Sequence, residues 1–261
     1  MKHLRSRPAL AMCGRRSQLG QSMVEFIIIA PLLLFFCLAI VQFALLYQAK
    51  STLDVAVLEA AREGAVTNGS MRDMQAGLAR GLMPLYARNT STDGVETAGK
   101  LAELASINAS LITIVNPTPE AISAFAVQRR YPESGLTYTE IPNDSLMYRD
   151  PHPAAGTVNI QDANLLKIRV HYCYPMYVPL ANKVIYYASN LIGRPAQNGI
   201  FSDIPSTNGF GNPQHPDRQC NIYLQDGVET GRYPIGLESE VMVRMQSPFR
   251  PAAAANGKAP S

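Results

Sequence analysis

From Phe26 to Ala49 the chain carries 24 consecutive residues without one Asp, Glu, Lys or Arg. As a helix rising about 1.5 Å per residue, such a run spans roughly 36 Å, more than the ~30 Å hydrocarbon core of a bilayer. The feature argues against a freely soluble cytoplasmic enzyme. It also reinterprets the composition: 47% hydrophobic residues over 261 positions is the average of a membrane segment and a more polar remainder, the latter large enough for one domain of ordinary size.

The net charge of +3 is an average in the same way. Lys2, Arg5, Arg7, Arg15 and Arg16 lie ahead of the run with no acid among residues 1–20, and without them the balance is 18 basic against 20 acidic side chains. The excess sits in a short tail rather than on a folded face, so no nucleic-acid partner is expected. Only Lys50 and Arg62 follow the run closely. The positive-inside bias therefore places the N-terminus in the cytoplasm and residues beyond about 50 outside.

Three processing signals compete for the basic stretch. Arg15-Arg16-Ser17-Gln18-Leu19 resembles a twin-arginine export signal, but a removable signal has a shorter apolar region closed by small residues, and this run ends Leu45-Leu46-Tyr47-Gln48-Ala49. Leu10-Ala11-Met12-Cys13 resembles a lipoprotein site, but Met12 is bulky and what precedes it is basic. The third, Gly20-Gln21-Ser22-Met23-Val24-Glu25-Phe26, resembles the leader of type IV pilin-like proteins. That resemblance implies cleavage after Gly20 by a prepilin peptidase on the cytoplasmic side, a new N-terminus at Gln21, and a helix left attached.

A carboxylate beside the apolar run is costly, about 2.5 to 3.5 kcal/mol for an acidic residue at the centre of a membrane helix. The α-amino group released at Gln21 would lie four residues from Glu25 and would neutralise it within one subunit or on a neighbour. The alternative leaves Glu25 at the headgroup level, stabilised by the positive end of the helix dipole. Pro31 has no N–H to give Ile27, which predicts a kink there; neighbouring helices can re-satisfy the freed carbonyl.

Past the run, Leu53, Ala56, Val57, Ala60, Ala61 and Gly64 recur at helical spacing, with Asp54, Glu59, Arg62 and Glu63 on other faces. The helix is expected to continue to about residue 66. Its small-residue face suits either another helix of an assembly or the protein's own outer domain, and the sequence leaves both open. A second amphipathic segment carries Met71, Met74, Leu78, Leu82 and Leu85, and residues 89–100 read as a loop. Strands are expected over Ser110 to Val115, Leu165 to Tyr174 and Glu238 to Gln246. In the second of these, Leu166, Ile168, Val170 and Tyr172 face one way and Lys167, Arg169 and His171 form a wet face. Asn182 to Ile192 reads as a short helix, residues 193–218 as a long loop, and the Ala-rich end as disordered.

The fold class is thus α+β: a long N-terminal transmembrane helix of type IV pilin-like character, then an outer domain with an amphipathic helix and a small antiparallel sheet. The expected organisation is a cleaved basic leader (1–20), a transmembrane helix (21–49), a protruding extension (50–68), a periplasmic α+β domain (69–247) and a disordered tail (248–261).

The segment Gly20 to Gly64, with Pro31 and Ala60-Ala61-Arg62-Glu63-Gly64-Ala65, resembles the TadE-like minor pseudopilins of tight-adherence (Flp-type) pilus assembly systems. Ile114 to Thr118 and Asn159 to Lys167 through Pro179 also look like outer-domain segments of the longer members. The resemblance implies a non-enzymatic, single-pass inner-membrane protein. Its implied partners are the prepilin peptidase, other pilins and pseudopilins through the N-terminal helix, and the pilus assembly platform. The outer domain is much longer than a major pilin's, which speaks against a bulk filament subunit. The rival reading is an uncleaved membrane-anchored binding or sensory domain; an exported enzyme is a third.

The enzyme class lacks a recognisable site: no G-x-x-x-x-G-K-[ST], G-x-S-x-G or H-E-x-x-H occurs. No cofactor is implied. His171, Cys173, His215 and Cys220 offer a possible metal set, at spacings that match no common zinc module. The simpler reading follows from topology. Cys13 lies in the leader and Cys37 in the apolar run, leaving Cys173 and Cys220 on the oxidising side. They are expected to pair, and closing that loop is worth roughly 4 kcal/mol by chain entropy. Leu146, Met147 and Tyr148, with Tyr172, Tyr174, Tyr177, Tyr186 and Tyr187, supply aromatic surface for a partner or the edge of a core.

Overall fold

The computed structural model describes residues 21–150, 158–193, 220 and 231–256. Helix α1 runs unbroken from Gln21 to Val66, 46 residues and about 69 Å at the usual rise, with Pro31 inside it. Left-handed backbone at Asn68 and Gly69, φ 59° and 77°, reverses the chain. A side chain at Gly69 would collide with Phe249, 2.5 Å from Cε2. Ser70 then caps α2 (Met71–Tyr86) by accepting from the Asp73 amide.

Helix α3 (Thr92–Asn108) leads into β1 (Ser110–Asn116) and the short α4 (Pro119–Phe125). A hairpin of β2 (Val127–Arg130) and β3 (Thr137–Glu140) follows. A 3₁₀ turn at Leu146–Tyr148 and one turn of helix, α5 (Ile160–Ala163), precede β4 (Leu165–Pro175). The described chain continues with α6 (Ala181–Gly193), β5 (Pro234–Arg244) and α7 (Pro251–Asn256). The main sheet has the order β1-β4-β5, antiparallel throughout, with Ile112 opposite Val170 and Ile168 opposite Val241. The α+β class read from the sequence is the one observed.

The core lies between α1, α2 and one face of the sheet. Leu53, Ala56, Val57, Ala60 and Ala61 of α1, Met74, Leu78 and Leu82 of α2, and Leu166, Ile168 and Val170 of β4 are all fully buried. Small residues let α1 and α2 approach closely. A Cβ on Gly81 would come within 2.3 Å of the Ala56 Cα, and one on Gly77 within 3.0 Å of the Ala60 Cα. The small-residue face of α1 is therefore occupied by the protein's own domain, which decides between the two uses the sequence left open.

Three expectations are corrected. Residues 92–100, expected as loop, are the first half of α3, capped by Ser91 and packed through Ala98, Ala102 and Ala105. The part of the tail from 248 to 256, expected to be disordered, is anchored instead: Phe249 is fully buried, the Ile141 amide bonds the Phe249 carbonyl at 2.9 Å, and Ala254 of α7 is buried, while residues 257–261 lie outside the described residues. Arg250 holds that anchor in place. Its guanidinium donates to buried Glu140 at 3.1 Å and stacks on Tyr138 at 3.9 Å from the ring centroid. Third, His171 is not on a wet strand face; it is 6% exposed. The loop expected over 193–218 lies outside the described residues, apart from its first position at the end of α6.

Candidate functional site

The inner half of α1 is apolar on every face, and nothing in the described chain covers it. Phe26 is 70% exposed and Ile40 68%, with Ile28, Leu33 and Phe36 similar. Among the described residues, α1 is the helix long and apolar enough to cross a membrane. A helix hydrophobic all round is stable only when something apolar surrounds it. Glu25 lies one turn beyond Gln21 on this exposed part. Gly20 lies outside the described residues, and α1 continues through Pro31.

The change of surroundings occurs at Gln42, inside the uncharged run. Gln42 is fully buried, and its Oε1 accepts from the Val178 amide at 2.9 Å. From there Gln42, Leu46, Ala49 and Leu53 follow at steps of four, three and four along the face that meets the domain. Counting from Gln21 to Val41, the uncovered helix measures about 30 Å, the thickness of a hydrocarbon core. Sequence reasoning missed Gln42, although a lone amide in an uncharged run is a signal: a polar group there needs a partner.

Cys173 and Cys220 form the expected disulfide, with a Cα–Cα distance of 5.4 Å and both sulfurs buried. His171 sits against it, Nε2 lying 3.3 Å from Cys220 Sγ. On the other side its Nδ1 lies 3.6 Å from a Glu238 carboxylate oxygen. That contact, acting against burial, holds the Glu238 carboxyl below its ordinary range. The cross-link explains why His171 is buried: it brings Cys220 over that side of the strand. Gly236, opposite Cys173, leaves room for the ring, since a Cβ there would come 2.5 Å from His171 Cε1. Lys167 and Arg169, by contrast, ion-pair with Glu240 in the open.

His171, Cys173 and Cys220 do bring their ligand atoms within 4.8 Å of one another. The two sulfurs are bonded to each other, however, and a metal ligand must be a free thiolate. The residues as joined do not fit a metal, and His215 lies outside the described residues.

The tyrosines divide. The Tyr86 and Tyr172 hydroxyls meet at 2.6 Å, and burial pushes both phenols up; burial likewise raises Tyr174 to about 12. These and Tyr186 belong to the core or its edge. Met147, Tyr148, Tyr177 and Tyr187 remain exposed. A shallow cleft beside Met147 is lined by one carboxylate, Asp162, and one guanidinium, Arg244, with no nucleophile paired to a base.

No curated protein and no solved structure matches this chain. The family model described as TadE-like protein matches residues 20–62, the stretch on which the resemblance in the sequence rests. The match takes in the uncovered half of α1 and most of the half packed on the domain. Over those residues the chain is similar to the TadE-like proteins, which associates it with the tight-adherence pilus and with a membrane-anchored form.

Proposed function

We propose that this protein is a minor pseudopilin, an assembly component of a tight-adherence pilus. In this reading a prepilin peptidase cuts after Gly20 and leaves Gln21 as the N-terminus. The uncovered half of α1 spans the inner membrane, with the N-terminus cytoplasmic and the α+β domain periplasmic. The observation that carries the proposal is the abrupt division of α1: about 30 Å of uncovered apolar helix, then a half locked into a folded domain, within a segment similar to TadE-like proteins.

The division also supports a choice of assembly surface. The small-residue face beyond Gln42 is filled by α2 and the sheet, so other pilins and the assembly platform would meet α1 between Met23 and Val41. There the Gln21 amine, freed by cleavage, pairs with Glu25 in its own or a neighbouring subunit, sparing both the cost of an unpaired charge in a medium of low dielectric.

N-terminal sequencing of protein extracted from membranes tests processing, with Gln21 the expected first residue. Finding Met1 would favour an uncleaved anchored binding domain, and a start after Ala49 an exported one. Glu25→Ala should still be cut, because the leader and Gly20 are untouched, yet surface pili counted in that strain should be lost. Normal piliation would remove the charge-pairing role.

A further inference from the structure

Helix α6 and the turn that leads into it carry an apolar stripe that the domain leaves outside. Val184 and Tyr187 of the helix are 50% and 64% exposed, and Leu180 and Tyr177 in the turn just before it are 60% and 45% exposed. Val184 and Tyr187, three residues apart in α6, share one side of the helix. The opposite side is fixed to the domain: Ala181 and Asn182 are buried, Ile185 and Tyr186 pack on the core, and Asn182 Nδ2 donates to the Gly231 carbonyl at 2.6 Å. The stripe therefore cannot roll inward to cover itself.

A hydrogen bond ties the approach to α6 to α1. The Val178 amide on Gln42 Oε1 holds the entry to α6 at the level where the uncovered half of α1 ends, and α6 packs beside α1. Phe43 and Tyr47 of α1 are exposed just beyond that level. We propose that the α6 stripe lies in the headgroup region of the outer leaflet, so that the protein touches the bilayer twice, through a spanning helix and through an interfacial one. The proposal rests on the membrane-anchored reading above.

The occupant follows from continuity and from residue type. The stripe begins where a segment of bilayer thickness stops, and it mixes Tyr with Leu and Val, while Lys183 on its flank has a stem long enough to reach water. Tyrosines that are apolar at one end and polar at the other collect at this depth, and helices with one apolar face lie flat there. A stripe meant for another copy of the chain would have no reason to share its level with the end of the uncovered helix.

The chain contains no tryptophan, so single substitutions give site-specific fluorescence. The full chain is reconstituted into phosphatidylcholine vesicles brominated near the headgroup end of the acyl chains. Three reporters are compared: Tyr187→Trp on the stripe, Tyr148→Trp on an exposed turn away from α6, and Phe36→Trp in the uncovered half of α1. Val184→Trp serves as a second stripe reporter if Tyr187→Trp perturbs folding. The stripe reporter should lose emission about two-fold or more to brominated lipid and be shielded from acrylamide, with the Tyr148→Trp reporter showing the reverse. Acrylamide quenching equal to that of Tyr148→Trp would overturn the proposal by placing the stripe in water. Protection from both quenchers would overturn it in favour of a covering protein. A Phe36→Trp reporter untouched by brominated lipid would instead refute the membrane anchor itself, and the α6 proposal with it.

Discussion

The two halves of α1 belong to one unbroken helix and end in opposite surroundings. The inner half carries Phe, Ile and Leu on all faces, and nothing among the described residues covers it. The outer half turns Leu53, Val57 and a series of Ala and Gly toward the domain, and gives its other faces to Asp54, Glu59, Arg62 and Glu63 together with exposed Val55 and Val66. The comparison teaches that the continuity of a helix does not decide what it touches. The angular spread of the apolar residues selects lipid or protein, and their size selects how closely a partner helix can come.

The sharpest way to break that comparison is to make the same truncation in each half. Leu53→Ala should destabilise the domain by about 2 to 5 kcal/mol, because a fully buried leucine leaves a cavity. Leu33→Ala, 57% exposed in the uncovered half, should leave thermal unfolding in detergent unchanged. Equal effects would mean that the inner half is covered by protein after all.

A smaller effect belongs to the boundary. Gln42→Leu removes the acceptor from the buried Val178 amide, which should cost about 1 to 3 kcal/mol and be read as a lowered denaturant midpoint. It should also loosen the start of α6, seen as faster amide exchange at Val178. Unchanged exchange there would show that the domain takes hold of α1 further out.

The smallest effect is on pH. Asp54 gains hydrogen bonds from Lys50 and Ser239 that outweigh burial and lower its carboxyl, and the contact with His171 lowers Glu238. A carboxyl held lower in the folded state contributes stability above its unfolded value, and loses it as pH falls through the folded one. Unfolding temperature should therefore fall modestly between neutral pH and the acid side of the carboxylate range, and Asp54→Asn with Glu238→Gln should flatten the profile. The segment from Phe26 to Ala49 has no Asp, Glu, His, Lys or Arg, so its helicity should not follow pH between neutral and acid. A change there would blur the division of α1.

What was legible in the sequence was what depends on local period. The length of α1, the strand carrying Leu166, Ile168, Val170 and Tyr172, and the pairing of the two outer cysteines can all be read from spacing and topology. Helix α3 could not, because its inward stripe is Ala98, Ala102 and Ala105. Alanine gives little hydrophobic contrast, and Asn89 to Gly94 reads as turn chemistry although Ser91 is a helix cap. The anchored C-terminus was hidden for a different reason: Phe249 and Arg250 acquire meaning only from Gly69 and Glu140, far away in the chain. His171 was misread because strand alternation reports on the sheet and not on a cross-link folded over it. At the candidate site, Gly20, Glu25 and the apolar run were visible as a motif, whereas Gln42 and the α6 stripe needed the tertiary structure that sets them at one level.

Because α1 passes from its inner to its outer half without a break, the bearing of the domain is encoded as helical phase. Each residue turns the helix by about 100° and lifts it by about 1.5 Å. One residue more or fewer between Ile29 and Val41 would swing everything attached beyond Gln42 by more than a quarter turn about the axis of α1, whereas four would nearly restore the original heading one storey higher. The rod thus acts as a compass as well as a tether: whichever neighbours grip its inner half also dictate which side of the domain they see.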